Sequence, residues 1–430
     1  MSASATPQSP AGSSGAGAGN PPRGPLHGIR ILDLSRVLAA PWCVQNLGDL
    51  GADVVKVERP GPGDESRHWG PPWLTGPDGQ PTKESAYFLS ANRNKRSVAI
   101  DLASADGQAL VRKLAETADI CIENFKVGDL ARYGLDYASL SKINPRLIYC
   151  SVTGFGQTGP WATRPGYDYL FQGMGGLMSV TGERDDRPGG GPQRFGLPIV
   201  DLFTGMYATI SILAALQHRN VTGEGQYIDI SLFSTVIAMS SGHLSNYMIG
   251  GKIPGRTGND SPNITPYGVY PASDGQFIVA SANAGQFSAL CKALGHPEWI
   301  DDPRFKDNGA RMAHQGELHA MFSEILCQQT RAHWEEVFTK AGVPCGPINN
   351  YQQAMAHPQA QHLHVKLELP HATGVNAPGV ANPMKFSKSP VSYRRAPPMI
   401  GQHTLEVLRE SGVAEDEIQR LLKAGTIGAR

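Results

Sequence analysis

The sequence predicts a doubly wound α/β domain followed by a smaller second domain. Two observations carry this prediction. From Gly28 onward, short apolar and β-branched runs alternate with segments of helical spacing, and a passage rich in glycine and proline at residues 154–191 separates them from a further set. Strands that alternate with helices indicate a parallel sheet, because parallel strands need a long crossover connection.

The elements of the first domain follow in chain order. The predicted strands cover residues 29–34, 54–57, 97–101, 120–123 and 147–152. Helical spacing at residues 41–50 completes a βαβ unit, and Ser104 is a candidate cap for a helix that runs to about residue 118. After the glycine-rich passage, which suits loops at the mouth of a site, an apolar helix is predicted from about Asp201 to Gln217.

The second half of the chain predicts a smaller domain. Its predicted strands cover residues 226–231 and 276–280, and its predicted helices cover residues 234–249, 286–294, 310–328 and 332–341. We therefore place the large domain at 28–225 and the small domain at 226–350. Residues 351–430 are rich in proline and histidine and end in a helix near 404–411. Residues 1–27 hold one charge, Arg23, and almost nothing apolar, so we predict a disordered tail.

Composition excludes several classes of protein. The 38 basic and 38 acidic side chains leave no net charge, which argues against a nucleic-acid-binding protein. A content of 40% hydrophobic residues excludes a disordered chain. We expect no membrane span, since the longest apolar stretch, residues 195–217, contains Asp201 and two glycines.

Cysteine and histidine spacing gives no sign of a metal or a disulfide framework. The six cysteines are scattered without a CxxC pair, which is typical of reduced thiols and predicts a cytoplasmic protein. His362 and His364 form the only close histidine pair, so we expect no metal. Neither GxGxxG after the first strand nor GxxxxGK[ST] is present, which argues against a nucleotide cofactor.

Two carboxylates are candidates for chemistry. Asp201 is the only side chain that is charged at neutral pH between Arg194 and His218, at the predicted start of an apolar helix. It is either an N-cap or a catalytic carboxylate whose reactivity is raised by apolar surroundings, and the two roles are compatible. Asp168, in RPGYDY, is either a turn residue or a second site carboxylate.

Cations gather near the ends of the predicted strands. The run at residues 92–97, NRNKRS, is either a solvated surface or a grip for phosphate. Lys56, Arg59, Lys126 and Arg132 each follow a strand end. Because the carboxyl ends of parallel strands face the ligand crevice, these side chains could converge there.

Ordered motifs over most of the chain resemble the class III CoA-transferases. They include LDLSRVLAAPWCVQNLGDLGADVVKVERPGPGD, NRNKRSVAIDL, IENFKVGDLARYGLDY, SVTGFGQTGP, VDLFTGMYA, TGEGQYIDISL, GVPCGPINN and APPMIGQHT. The resemblance extends from Gly28 to about Leu408. It implies a Rossmann-like large domain built from both chain ends, so that 351–430 returns to it, a small domain, and ring-shaped subunits in an interlocked homodimer.

The resemblance also implies a reaction and its residues. Asp201 matches the family's nucleophile, which forms aspartyl anhydride and aspartyl-CoA thioester intermediates, and Asp168 matches an acidic neighbour. The positions that match the family's coenzyme A contacts are Val37, Leu38, Arg59, Ile100, Asp101, Asn124, Phe125, Arg132 and Tyr167. Acyl-CoA and small carboxylic acids are the partners expected.

Two further features narrow the substrate and leave alternatives. The related α-methylacyl-CoA racemases use a histidine where this chain has Tyr167, which disfavours a racemase. The run RHWGPPW at residues 67–73, with NRNKRS, looks most like the succinyl-CoA:glutarate branch, and Arg67 or Arg93 could bind the distal carboxylate of a dicarboxylate. A non-catalytic CoA-binding protein is the second alternative, and the charge of Asp201 in an apolar run counts against it.

Overall fold

The computed structural model describes residues 23–430. Its strands are β1 (Arg30–Asp33), β2 (Asp53–Glu58), β3 (Trp73–Thr75), β4 (Pro81–Ser85), β5 (Lys95–Ile100), β6 (Ile120–Glu123), β7 (Ile148–Thr153), β8 (Tyr227–Ser231), β9 (Tyr267–Ala272), β10 (Gly275–Ala280), β11 (Cys345–Pro347), β12 (Lys366–Pro370), β13 (Asn376–Val380) and β14 (Ile427–Gly428).

The helices begin and end as follows. They are α1 (Ala39–Asp49), α2 (Ala86–Ala91), α3 (Ala105–Ala115), α4 (Tyr137–Ile143), α5 (Asp168–Met174), α6 (Leu177–Val180), α7 (Ile199–Thr222), α8 (Leu232–Met239), α9 (Ser241–Gly250), α10 (Ala284–Ala293), α11 (Asn308–Ala313), α12 (Gln315–Leu326), α13 (Arg331–Lys340), α14 (Tyr351–Ala356), α15 (Pro358–His362), α16 (Thr404–Glu410) and α17 (Glu415–Lys423).

A seven-stranded sheet in the order β14-β5-β2-β1-β6-β7-β8 forms the centre of the fold. Every neighbouring pair in it is parallel except β14 with β5. The predicted α/β fold with a parallel sheet is therefore confirmed. The order of the parallel strands is that of the doubly wound fold, and it reverses between β1 and β6. Ligands bind at such a reversal, in the crevice outside the carboxyl ends of the strands.

Apolar side chains from helices cover both faces of the central sheet. On one face, α1, α7 and α8 pack on β1, β2, β6 and β7. On the other face, α3, α4, α16 and α17 cover the sheet. Because both faces are buried, β5, β6 and β7 have no exposed residue along their whole length.

The helix α7 has the composition of a membrane span but lies in the core. It is long and apolar enough to cross a bilayer by those two criteria alone. One side of it packs against α1, where Gly205 lets the two helices approach closely: a Cβ there would lie 2.6 Å from the carbonyl oxygen of Ala39. Its buried side chains, including Ala208 and Ile212, belong to the core on the sheet.

A second core lies in the smaller part of the chain. An antiparallel sheet in the order β11-β10-β9 packs against α10, α12 and α13 around Phe277, Phe322 and Phe338. The strand that we placed at the start of the small domain, β8, belongs instead to the central sheet, where it pairs with β7. Its register with β7 keeps Ile228 and Ile230 on the main core, so the boundary at residue 226 falls too early. The other domain boundaries stay predictions.

Several predicted elements have different bounds. The helix predicted at 234–249 is two helices, since α8 ends at Met239 and α9 begins at Ser241, and the one predicted at 310–328 divides into α11 and α12 at His314. The return of the C-terminus adds α16, α17 and β14 to the central domain. Of the predicted disordered tail, residues 1–22 lie outside the described residues. Residues 23–27 are ordered up to a turn at 25–28, and Leu26 packs in the core, so this part of the predicted tail is not disordered.

Candidate active site

Asp201 lies in the first turn of α7 and is nearly buried, with 9% of its surface exposed. The helix begins before it, with Pro198 at the N-cap position, so Asp201 is not the cap that its position in the sequence permitted. Burial raises the pKa of Asp201 to about 7, and the charge of Asp168 adds to the rise. Asp201 can therefore be neutral or ionised near physiological pH, as a carboxylate in a reactive site often is.

The side chain of Asp168 stabilises the start of α7 from outside. Asp168 is the first residue of α5, so its candidate role as an isolated turn residue is wrong. One of its oxygens, Oδ1, accepts hydrogen bonds from the amides of Val200 at 2.7 Å and Asp201 at 3.2 Å. A helix N-terminus leaves such amides without partners, and a carboxylate beside it is stabilising. Asp168 thus supplies the cap, and Asp201 keeps its carboxylate free.

The loops after β1 and β6 meet where the strand order reverses. Asn124 joins them, since its side chain accepts a hydrogen bond from the amide of Arg36 at 2.8 Å and donates one to the Arg36 carbonyl at 2.7 Å. The next residue, Val37, has a φ of 71°, which is a strained conformation for a β-branched residue. The carboxylate of Asp64 accepts from the Val37 amide at 3.1 Å and helps to hold it there.

A buried ion pair holds Asp64 in turn. Lys56 lies 3.0 Å from it, and both side chains are fully buried. Although burial opposes ionisation, Lys56 lowers the pKa of Asp64 to about 2. The loop that carries Val37 is therefore anchored to a permanent charge, and this places the start of α1 beside Asp201.

Two cavities follow the crevice. The first, of about 320 Å³, is lined by Asp201 and by the loops after β1 and β6. The second, of about 520 Å³, lies over the ends of β2 and β5. Both are lined by Arg36, Glu65 and Phe125, so they adjoin. Together they form a continuous crevice with Asp201 in the wall of one end.

Most of the predicted coenzyme A contacts line these cavities. The first cavity contains Val37, Leu38, Asn124, Phe125 and Tyr167. The second contains Arg59, Ile100, Asp101 and again Phe125. Arg132 lines neither cavity and instead pairs with Asp129 at 2.8 Å, on the surface. The structure therefore brings together all the predicted contacts except Arg132.

The two arginines predicted to bind a distal carboxylate are occupied inside the protein. Arg67 is buried, donates to Glu58 at 2.7 Å and to Glu84 at 3.0 Å, and lies over the ring of Phe88. Arg93 is likewise buried and makes a bidentate pair with Asp49 at 2.9 and 2.6 Å. Neither lines the two cavities. The structure gives both arginines a role in holding the fold rather than in binding substrate.

The remaining cations of the NRNKRS run are also tied down. Lys95 is buried and donates to Asp33 at 3.0 Å, and Arg96 pairs with Asp53, Glu406 and Glu410. The phosphate grip considered for this run is therefore wrong. The run instead connects β5 to its neighbours through ion pairs, of which those of Arg93 and Lys95 are buried.

Two cavity cations and one buried amide have no counterpart among the predicted site residues. Arg36 and Arg164 line the first cavity beside Lys126, which was expected at the crevice, and Gln172 donates a hydrogen bond to Asp168 at 2.6 Å. A signal for Arg36 was present, since it follows the first strand directly. Nothing in the sequence marked Gln172, which becomes a neighbour of the site only through the packing of α5 against the start of α7.

Within residues 23–430, no group of three metal-binding side chains comes together. The six cysteines all stand as free thiols, four of them buried.

Residues 26–404 match the model of CoA-transferase family III. The chain belongs to this family. It is 46% identical over 386 residues to a succinate–glutarate CoA-transferase of Agrobacterium fabrum, covering 90% of this chain and 95% of that protein. It is 41% identical over 406 residues to the human succinyl-CoA:glutarate CoA-transferase, covering 94% of this chain and 90% of that protein. The predicted resemblance is confirmed, and the chain is an enzyme of this class, whose substrates are CoA thioesters.

Solved structures of the family share the fold. A CAIB/BAIF family protein from Brucella suis has a TM-score of 0.79 at 44% identity, covering 90% of this chain and 100% of that one. The protein Rv3272 from Mycobacterium tuberculosis has a TM-score of 0.78 at 27% identity, covering 90% of this chain and 99% of that one.

Proposed function

We propose that this enzyme transfers CoA from succinyl-CoA to a dicarboxylic acid such as glutarate, with Asp201 as a covalent nucleophile. The observation that carries the mechanism is a carboxylate with a raised pKa, free of a capping role, on the wall of a cavity that continues past the predicted coenzyme A contacts. The names of the Agrobacterium and human relatives support the two acids.

The reaction runs in two matched halves. The Asp201 carboxylate attacks the thioester carbonyl of succinyl-CoA, the C–S bond breaks, and a succinyl–aspartyl anhydride and a CoA thiolate form. The thiolate attacks the aspartyl carbonyl, which releases succinate and leaves an aspartyl-CoA thioester. Glutarate then attacks this thioester and expels the thiolate, which attacks the glutaryl carbonyl to give glutaryl-CoA and restore Asp201. One thioester replaces another, so covalent catalysis needs no other energy source.

The start of α1 offers donors for the oxyanion of each step. Leu38 is the N-cap of α1 and Ala39 is its first residue, and helix geometry leaves the backbone N–H groups of such positions without partners. Both residues line the first cavity, so their backbone amides are close to the proposed site of reaction. Amides fixed in place stabilise a developing oxyanion without needing to reorganise.

 

The proposal places coenzyme A along the two cavities in one direction. The adenosine end lies in the second cavity, by Arg59, Ile100 and Asp101, and the pantetheine arm passes Phe125 toward Asp201. No carboxylate pairs with Arg59 in the part of the chain that the structure describes, and its exposed side chain is available to a phosphate. Binding of coenzyme A along this path is part of the proposal.

Arg164 is the cation that we assign to the distal carboxylate of the acceptor. Among the described residues, neither Lys126 nor Arg164 forms an ion pair, and both line the first cavity. Lys126 follows the predicted coenzyme A contacts on the loop after β6. Arg164 precedes Tyr167 on the other side, at the entrance to α5, and stacks on Trp161 at 4.7 Å. Its guanidinium can therefore bind a carboxylate in the bidentate manner.

A matched pair of acceptors tests this assignment. Pentanoate has the chain length of glutarate without the second carboxylate. In Arg164→Gln, kcat/KM for glutarate should fall about 10-fold or more, while that for pentanoate stays within about 2-fold, because one charge-assisted contact is lost. Lys126→Gln is the control, because Lys126 lines the same cavity but is not assigned to the distal carboxylate. An equal loss for both acids in Arg164→Gln would contradict the assignment.

An apolar face of α7 supports a homodimer. Phe203, Met206, Tyr207 and Ile210 are spaced along one side of this helix, and Ile210 is 58% exposed. Apolar patches of this kind mark interfaces. The proposal includes ring-shaped subunits in an interlocked homodimer, and a cytoplasmic location as predicted from the cysteines. Light scattering tests the dimer: Ile210→Glu should lower the measured mass toward that of one chain.

Hydroxylamine trapping tests the covalent route. The enzyme is incubated with succinyl-CoA, treated with hydroxylamine, digested and analysed by mass spectrometry. We expect a hydroxamate on Asp201, none in Asp201→Asn, and glutaryl-CoA when glutarate is added to the untreated enzyme. Transfer without the hydroxamate would contradict the covalent route. Exchange of an α-proton for deuterium without transfer would favour a racemase instead.

A further inference from the structure

The buried side chain of Gln172 connects three parts of the site. It lies in α5, one turn beyond Asp168, and is fully buried. Its Nε2 donates to Oδ2 of Asp168 at 2.6 Å and to the carbonyl of Leu197 at 3.2 Å. Its Oε1 accepts a hydrogen bond from the amide of Phe195 at 2.8 Å. The amide group of one side chain thus holds both the capping carboxylate and the segment that leads into α7.

The hydrogen bonds leave this amide only one orientation. The Phe195 amide can only donate, so the Gln172 oxygen must face it, and the nitrogen must face Asp168 and the Leu197 carbonyl. A flipped amide would place two donors against each other at Phe195 and two acceptors at Leu197. Burial makes such a mismatch costly, because no water is available to replace the lost partners.

Asp168 consequently receives hydrogen bonds on both oxygens and donates none. The amides of Val200 and Asp201 donate to Oδ1, and Gln172 donates to Oδ2. An ionised carboxylate, which only accepts, satisfies this pattern. The same negative charge contributes to the raised pKa of Asp201.

We propose that Gln172 is a positioning residue for CoA transfer, which holds Asp168 and the segment 195–198 so that the first turn of α7 presents the Asp201 carboxylate to the cavity. The inference rests on the proposed nucleophilic role of Asp201. Gln172 acts through Asp168 and does not touch the substrate.

A reciprocal exchange tests the pairing. Gln172→Glu sets two carboxylates against each other at hydrogen-bond distance, and Asp168→Asn sets the Asn nitrogen against the Gln172 nitrogen. In Asp168→Asn/Gln172→Glu the asparagine nitrogen again meets an acceptor, and the Phe195 amide keeps one. We expect kcat to fall about 30-fold or more in each single variant and to recover at least about 5-fold in the double variant, as coupled partners do. The acceptor repulsion at Leu197 keeps the recovery partial.

Two readouts separate positioning from a general loss of folding. The KM for succinyl-CoA should stay within about 3-fold in Gln172→Glu while kcat falls, since the coenzyme A contacts are elsewhere. The acid limb of its pH profile should move to higher pH, because a second negative charge near Asp201 makes ionisation harder. Should Gln172→Glu not fold, Gln172→Met removes the amide without adding charge, and we expect a loss of about 10-fold in kcat.

Gln45→Glu is the matched control. Gln45 is also fully buried, accepts from the Arg93 amide at 3.0 Å and donates to the Ser90 carbonyl at 3.0 Å, but it does not contact Asp168. Its variant should lose thermal stability and keep its kcat per folded molecule. Normal turnover and trapping in Gln172→Glu or Gln172→Met, or additive losses in the double variant, would overturn the role of Gln172. Absence of the hydroxamate in the unmodified enzyme would instead overturn the covalent route.

Discussion

Replacing Asp201 by asparagine should stabilise the folded chain above neutral pH while it abolishes transfer. Burial and the charge of Asp168 raise the pKa of Asp201 from 3.8 to about 7. The unfolded chain releases this proton above pH 3.8 and the folded chain keeps it until about pH 7, so stability falls as pH rises through this window. A rise of roughly three units, at about 1.4 kcal/mol each, destabilises the folded state by about 4 kcal/mol above pH 7. An asparagine has no charge to bury.

Thermal unfolding followed by circular dichroism checks this magnitude. At about 2.1 cal/mol/K per residue, a chain of this size should gain about 5 °C in Tm at pH 8.5 from Asp201→Asn. At pH 5 the gain should be less than about half of that, because the folded carboxyl is then protonated. Asp301→Asn is the control: Asp301 is exposed in the folded chain, so its variant should give the same small difference at both pH values. A lower Tm for Asp201→Asn at pH 8.5, or a gain that does not change with pH, would refute the reasoning.

Three further outcomes follow from the site and its supports. The acid limb of the pH profile of kcat/KM should lie near pH 7, because Asp201 must be ionised to attack. In Asp168→Asn the limb should move to lower pH, since the neighbouring charge that raises the pKa of Asp201 is gone. An unmoved limb in this variant would contradict the expectation. Arg67→Met should destabilise the fold by about 3–5 kcal/mol in urea unfolding, because it leaves two buried glutamates unpaired. An unchanged urea midpoint of unfolding, or a lost preference for glutarate in the folded fraction, would count against a structural role of Arg67. Gly205→Ala should lower the free energy of unfolding by about 1–3 kcal/mol and lower turnover, since its Cβ would meet the α1 backbone at 2.6 Å. Gly242→Ala, in α9, should leave stability unchanged or raise it, because no atom lies near the added Cβ. Equal effects of the two substitutions would show that the contact between α7 and α1 is not tight.

The pattern of apolar residues predicted the parallel strands of the central sheet, but it did not predict where several helices end. The β-branched runs and helical spacings found the parallel strands to within about two residues because the sheet is buried on both faces, where apolar runs are continuous. The breaks at Ser240 and His314 were missed, since a helix interruption leaves the apolar spacing on both sides intact. The short strand β14 has only two residues and pairs with β5 from the far end of the chain, which no local window can detect.

The sequence alone determined the chemical class of the site. The isolated charge in an apolar run made Asp201 a candidate, and ordered motifs resembling the family named it again together with coenzyme A contacts, of which all but Arg132 line the two cavities. These features are local, because a strand end followed by a loop places its residues at the crevice whatever else the chain does.

Only the tertiary structure decided which charged groups are free to act. Arg67, Arg93 and Lys95 looked like candidates in the sequence, but each forms an ion pair with a buried carboxylate from another element of the fold, on β2, α1 and β1 respectively. The opposite holds for Asp201, whose capping role is taken over by Asp168, so its carboxylate stays available. A residue type states what a side chain can bind, whereas long-range packing determines whether a partner within the protein has already bound it.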